Sequence, residues 1–417
     1  MARLAIKGGS PVRTRPWPKW PVYGEEERQN LLDALESQEW GGFPEPQPRA
    51  RRFSQLFAKW IDAKHGVCVS NGSITLEIAL KAAGIHAGDE VITTCLTWVA
   101  TAACAVHVNA VPVMVDVDPK NYCIDCDAVE AAITPKTRAI IPVHLGSSTA
   151  DLDRLTEIAR KHNLVLIEDC AHAHGSRWRD KGVGSWGDLG SFSFQSSKLM
   201  TSGEGGFLSM NDDILAQKVH SLVNCGRKEE EYQDFPGTLF GYNARMTEFQ
   251  AAVLLGQLSK MDAIIETKAA NLDYLTEQLK GLGGLIPIEK DPRETRRGIY
   301  QIIMKYNPEE FKGLHRDKFI DAMEAEGIEL SGPFYVPIPM SPLFNARTED
   351  YPMLRERYGD GVQSPETLRK FRFPVAMKAA FEEGCWMHYP YMMGTRADVD
   401  DIVEAVAKIK RNCEELL

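Results

Sequence analysis

The chain has 417 residues, 44% hydrophobic and 25% charged, enough for two or so domains with ample core. Its formal net charge of −10 argues against a nucleic-acid or anionic-membrane partner. No stretch reaches the roughly 18 consecutive apolar residues of a membrane span. The opening Met1–Ser10 lacks a signal peptide's apolar core, and nine cysteines scattered among apolar runs read as reduced thiols of a cytoplasmic protein.

In chain order, residues 1–30 read as an extended arm, because Arg15-Pro16-Trp17-Pro18-Lys19-Trp20-Pro21 rules out a regular helix there. The arm is expected to lie over the body or over a partner subunit. Residues 31–255 alternate strands and helices. Strands are expected at Val67–Val69, Glu90–Thr93, Val111–Val117, Ala139–Val143, Leu164–Ile167, Phe192–Phe194 and Phe207–Met210. Such alternation predicts a mainly parallel, helix-covered sheet. One long helix over about Thr247–Leu279 leads out of this domain. Residues 256–417 form that linking helix and a small α+β domain, with a strand at Ile299–Lys305 and helices at Leu314–Glu326 and Val399–Leu417. The proline- and aromatic-rich Tyr335–Phe373 reads as irregular and as a border of the substrate.

Lys198 stands between small hydroxyl residues and a glycine-rich exit, Ser193-Phe194-Gln195-Ser196-Ser197-Lys198 to Gly203-Glu204-Gly205-Gly206. A lysine on the lip of a strand, beside hydroxyls that suit a phosphate, fits a Schiff base with pyridoxal phosphate. In isolation such a lysine is more often an exposed loop residue, and four further segments decide the matter. Asp169 ends the apolar run Leu164–Ile167, at the carboxyl end of a strand, where open α/β sheets place ligands. A carboxylate there would keep a pyridine nitrogen protonated; a helix N-cap is the plain alternative. Ser70-Asn71-Gly72-Ser73 joins a strand to a helix and makes an anion site of the helix N-terminus. Trp98, after Glu90–Thr93, offers a ring to stack on a pyridine, although a core tryptophan is the default. Gly241-Tyr242-Asn243-Ala244-Arg245-Met246 leads into the helix opening near Thr247.

Taken together, these segments resemble the pyridoxal-phosphate-dependent DegT/DnrJ family of sugar and cyclitol aminotransferases. The resemblance runs over roughly residues 10–410 and in family order. It implies the transferase fold of type I, with a mainly parallel seven-stranded sheet. It also implies roles. Lys198 would hold the cofactor and shuttle the proton of the 1,3-shift, and Asp169 would pair with the pyridine nitrogen. Trp98 would stack on the ring, and Gly72, Ser73 and Ser193 would hold the phosphate. Asn243 would reach the phosphate of a neighbouring subunit, which makes a homodimer with shared sites. His172 stands where many members have glutamine, near the cofactor's phenolic oxygen. Relatives that make aminohydroxybenzoate by dehydratase-type chemistry also have histidine there. Gly146-Ser147 is a second departure.

Arg15-Pro16-Trp17-Pro18, Pro142-Val143-His144-Leu145 and Pro342-Leu343-Phe344-Asn345 resemble the glutamine-dependent scyllo-inosose subgroup. The expected reaction moves an amino group from an amino acid, glutamine first, to a keto-cyclitol such as scyllo-inosose or its 2-deoxy form, in aminoglycoside antibiotic biosynthesis. A nucleotide-linked keto-sugar aminotransferase and a pyridoxal-phosphate-dependent dehydratase are the alternatives. Regulators of this fold often lose the lysine, which this chain keeps.

Three features look like sites and do not fit one. Cys123-Ile124-Asp125-Cys126 has no second ligand pair for zinc. Gly182-Val183-Gly184-Ser185-Trp186-Gly187 matches a dinucleotide fingerprint as a string but lacks the strand before it and the helix after it. The histidines His65, His86, His107, His162, His220 and His315 share no pattern.

Overall fold

The computed structural model describes residues 3–417; Met1 and Ala2 of the expected arm lie outside them. Seven short strands build the main sheet: β1 (His65–Val69), β2 (Glu90–Thr94), β3 (Val111–Val115), β4 (Thr137–Ile141), β5 (Val165–Asp169), β6 (Leu189–Ser193) and β7 (Gly206–Met210). Their spatial order is β1-β7-β6-β5-β4-β2-β3. Strand β7 runs antiparallel to both β1 and β6, and the remaining pairs are parallel. The fold is the α/β, mainly parallel seven-stranded arrangement expected from the chain.

Alternation along the strands explains why both faces are covered. Val67, Val69 and Leu208 face a core shared with the helices Gly72–Ala82 and Asp213–Val223. Cys68, Phe192 and Phe207 face the opposite core, under the helices Pro48–Trp60 and Glu248–Leu258. Successive side chains of a strand point to opposite faces, so two buried sets need two helix layers. On the second face Phe57 meets Phe192 edge-on at 5.1 Å, Phe194 at 5.5 Å and Phe207 at 4.8 Å. Such pairs add about 0.5–1.5 kcal/mol each beyond burial. They fix the end of β6, from which the loop to Lys198 departs.

Register decides where the loops emerge. Val69 and Ser193 both oppose Gly206, and Asp169 is level with Ser191. The carboxyl ends of β1, β5 and β6 therefore open on one edge. A second, antiparallel sheet follows in the C-terminal part: β8 (Leu285–Pro287), β9 (Gln301–Tyr306), β10 (Leu330–Ser331) and β11 (Gly384–His388), in the order β8-β9-β11-β10.

Three expectations are corrected. The extended arm ends at Gly24, because a helix occupies Glu25–Glu36. The prolines stop at Pro21, and Glu27 closes the helix start by accepting the Gly24 N–H at 2.8 Å. The arm lies on this chain's own C-terminal part: Arg13 bridges Asp398 and Asp401, and Trp17 stacks on Tyr391 at 4.0 Å. The long linking helix is two helices, Glu248–Leu258 and Met261–Leu282. At the break Ser259 Oγ donates to Glu26 and to the Gly256 carbonyl, contacts that hydrophobic periodicity does not encode. Tyr335–Phe373 contains short helices, among them Arg355–Tyr358 and Pro365–Lys370, and much of it is core.

Candidate active site

The edge where β1, β5 and β6 end opens into a cavity of about 820 Å³. Gly72, Ser73, Trp98, Asp169, His172, Ser193 and Lys198, seven of the eight residues expected at the site, line it. Asn243 does not; it is exposed and pairs with Asn224 through an isolated bridge.

At one end the helix Gly72–Ala82 begins. Asn71 caps it, accepting the N–H groups of Ser73 and Ile74 at 3.1 and 3.0 Å. A Cβ on Gly72 would lie 2.5 Å from Ser193 Cβ. Only glycine lets the helix start come this close to the end of β6. The result is a hydroxyl-lined cradle at the positive end of a helix dipole, suited to a phosphate.

At the other end Asp169 is buried. Its Oδ2 accepts from Thr101 Oγ1 at 2.9 Å and its Oδ1 from the Ala171 N–H at 3.2 Å. Burial pushes its carboxyl above the ordinary range, while Thr101, Ala171, Lys198 and His144 pull it back. A cationic ring nitrogen is the partner such a carboxylate lacks. Between these ends stands Lys198, its amine lowered to about 8 by burial, against the pull of Asp169. Its Nζ lies 4.5 Å from the centre of the Tyr300 ring. Trp98, half exposed, borders the same space. A phosphate cradle, a flat wall, a carboxylate and an amine in one cavity fit pyridoxal phosphate.

His172 is held in one tautomer. Its Nδ1 accepts the Gly146 N–H at 3.3 Å, so the neutral ring carries its proton on Nε2, 3.3 Å from the Tyr335 hydroxyl. Burial and the Lys198 charge hold its pKa well below the usual value. Gly146, the second sequence departure, adopts φ +63°, and a Cβ there would strike Ile303. Its turn brings the N–H to His172.

Thr101, Tyr300 and Tyr335 were not singled out individually from the sequence. Thr101 stands three residues after Trp98 in a segment already notable. Tyr300 immediately precedes β9, and Tyr335 opens the aromatic stretch expected to border substrate. The Gly182–Gly187 string has a structural use: the N–H groups of Gly184, Trp186 and Gly187 all bond the Glu168 carboxylate at 2.8 Å. Glu168, His144 and Cys170 have metal-like spacing. The Glu168 oxygens are spent on those N–H groups and His144, and His144 Nδ1 accepts from the Ala150 N–H. The trio is an internal anchor. All nine cysteines are free, Cys123 and Cys126 among them.

The profile of the DegT/DnrJ/EryC1/StrS aminotransferase family matches residues 21–359. The chain belongs to that family. It is an aminotransferase of the pyridoxal-phosphate-dependent class. A protein of Streptoalloteichus tenebrarius, provisionally named L-glutamine:3-amino-2,3-dideoxy-scyllo-inosose aminotransferase, is 50% identical over 100% of this chain and 99% of its own. The L-glutamine:2-deoxy-scyllo-inosose aminotransferase of Micromonospora echinospora is 40% identical over the full length of both chains. Among solved structures, 3-amino-5-hydroxybenzoic acid synthase aligns with a TM-score of 0.81 and 30% identity, covering 95% of this chain and 100% of its own. No helix among the described residues is long and apolar enough to cross a membrane.

Proposed function

We propose that this aminotransferase moves the amino group of L-glutamine onto a keto-cyclitol, with pyridoxal phosphate as cofactor, in the making of an aminoglycoside. The observation that carries the reading is the cavity that holds Asp169 and Lys198 beside the Gly72–Ser73 helix start. Full-length identity of 50% to a relative named for 3-amino-2,3-dideoxy-scyllo-inosose, against 40% for one named for the 2-deoxy ketone, makes the amino-bearing ring the first acceptor to test. Scyllo-inosose and its 2-deoxy form come next.

When bound, the cofactor supplies an electrophilic aldehyde and an electron-accepting ring. The protein supplies the rest. Lys198 Nζ holds the cofactor and, when free, takes and returns the migrating proton. Asp169 keeps the ring nitrogen protonated. Gly72, Ser73 and Ser193 cradle the phosphate, Trp98 covers the ring, and His172 Nε2–H serves the phenolic side. Residues 31–255 form the cofactor-binding domain and 256–417 the linking helices and small domain. The working unit is a cytoplasmic homodimer in which Asn243 of each chain serves the other's phosphate.

The test is incubation of the purified enzyme with glutamine and a panel of keto-cyclitols and nucleotide-linked keto-sugars, with mass-spectrometric detection. 2-Oxoglutaramate with an amino-cyclitol is expected. Activity confined to nucleotide-linked sugars, or elimination without amino transfer, overturns the reading.

A further inference from the structure

Amino transfer needs Lys198 to spend part of each cycle as a free amine that gains a proton. Burial opposes that charge and lowers the pKa, and Asp169, which already accepts two hydrogen bonds, offsets only part of that effect. His172 and His174, both neutral through burial, offer no countercharge. Tyr335 and Glu204 line the same cavity, and Tyr389 donates its hydroxyl to the Lys198 carbonyl, not to the amine.

A further neighbour is the ring of Tyr300, whose centre is 4.5 Å from Nζ. That ring is held from several sides. Its hydroxyl bonds Ser197 Oγ at 3.1 Å, and the Tyr300 backbone N–H donates to the Gly146 carbonyl at 3.2 Å. His172 stacks on it at 4.0 Å. The preceding carbonyl, Ile299, accepts from the fully buried Lys268 at 3.1 Å. An aromatic face fixed beside a buried amine attracts its cationic form, most strongly where water is excluded.

We propose that Tyr300 is a catalytic residue whose π face stabilises the ammonium that Lys198 becomes when it takes the migrating proton. This rests on the reading of Lys198 as proton shuttle. In that step the substrate C–H bond breaks and its electron pair stays behind. The Nζ lone pair takes the proton, and the same proton then passes to the second carbon. Nothing is oxidised at the lysine, and Tyr300 forms no bond. It keeps the amine basic enough to accept the proton in a dry site.

The test uses the full-length enzyme in its pyridoxamine-phosphate form, in which Lys198 is free. Acetic anhydride labelling of Lys198, followed by mass spectrometry across pH, gives the amine's titration midpoint. Tyr300→Leu and Tyr300→Met, which remove the ring, should lower it by about one unit. Tyr300→Phe, which keeps the ring and loses only the hydroxyl bond to Ser197, should leave the midpoint near the wild-type value. An unchanged or raised midpoint without the ring, or a Phe variant whose midpoint falls as far as that of Leu, overturns the proposal. The use of two ringless variants guards against one that fails to fold. Borohydride reduction and peptide mapping separate the two readings. A pyridoxyl group away from Lys198 sinks the shuttle itself, whereas a group on Lys198 with an unmoved midpoint sinks only the role of Tyr300.

Discussion

The Thr101 hydroxyl donates to Oδ2 of Asp169 at 2.9 Å, from the first turn of the helix Ala100–His107. The same helix follows Trp98, so one short segment brings both a ring wall and a support for the carboxylate. A hydrogen bond to a charged group contributes about 1.5–3 kcal/mol. Thr101→Val keeps the shape and removes the donor. It should raise the Asp169 pKa further and weaken cofactor binding by about 10- to 100-fold. Titration of the cofactor-free protein with pyridoxal phosphate, followed by absorbance, measures this. Wild-type affinity in the valine variant would show that the hydroxyl is idle.

Asp169 itself sets function against stability. Its folded pKa lies above the ordinary carboxylate value because burial penalises the anion. The folded state therefore holds the proton more tightly than the unfolded chain, and stability is lost as pH rises from the unfolded value through the folded one. Asp169→Asn should then make the cofactor-free protein more stable at neutral pH, with the gain shrinking as pH falls into the ordinary carboxyl range. Turnover should drop by orders of magnitude, since no anion remains to hold the ring nitrogen protonated. Melting curves across pH and steady-state rates read the two effects. A variant that is both active and no more stable contradicts both halves.

What was legible in the chain was what local strings carry. Asp169 closes an apolar run, Gly72 sits between strand and helix, and Lys198 follows a strand with hydroxyls around it. Each was readable because strand ends in a parallel sheet are where chemistry collects. Tyr300 was hidden because it reaches the cavity from the residue just before β9, across a long stretch of chain, with no local pattern to announce it. The break at Ser259–Lys260 was hidden for a related reason. Glu26 and Glu27, more than 200 residues earlier, hold Ser259 and Lys260 by side-chain contacts, and periodicity within the helix says nothing of them.

Gly72 and Ser193 offer a paired test of the phosphate cradle. A methyl group on Gly72 would sit 2.5 Å from Ser193 Cβ, too close without movement of the helix or of β6. Overpacking of this kind costs about 1–3 kcal/mol. Gly72→Ala should lower the melting temperature and weaken cofactor binding. Adding Ser193→Gly removes the two nearest atoms, Cβ and Oγ, and leaves the backbone Cα at 3.0 Å. The double variant should recover part of the melting temperature but not affinity, because the Ser193 hydroxyl is gone from the cradle. Additive losses of stability in the double variant would show that the two residues do not meet as described.

Asn243 calls for a different kind of test, since it does not line its own chain's cavity. It is exposed, beside Tyr242, whose hydroxyl reaches Glu77 at 3.4 Å. In the proposed two-fold dimer Asn243 would serve the partner's site, so that two identical sites would each be built from both chains. Asn243→Ala should weaken cofactor binding and be nearly inactive when pyridoxal phosphate is limiting. Lys198→Ala should abolish transfer at any cofactor level. In a mixed dimer one site combines an intact Lys198 from one subunit with an intact Asn243 from the other, while the second site carries both defects. Co-expression with two affinity tags isolates such heterodimers. They should show a fraction of wild-type activity that neither parent shows alone. Heterodimers as inactive as their parents would mean that Asn243 acts within its own chain or has no part in the site.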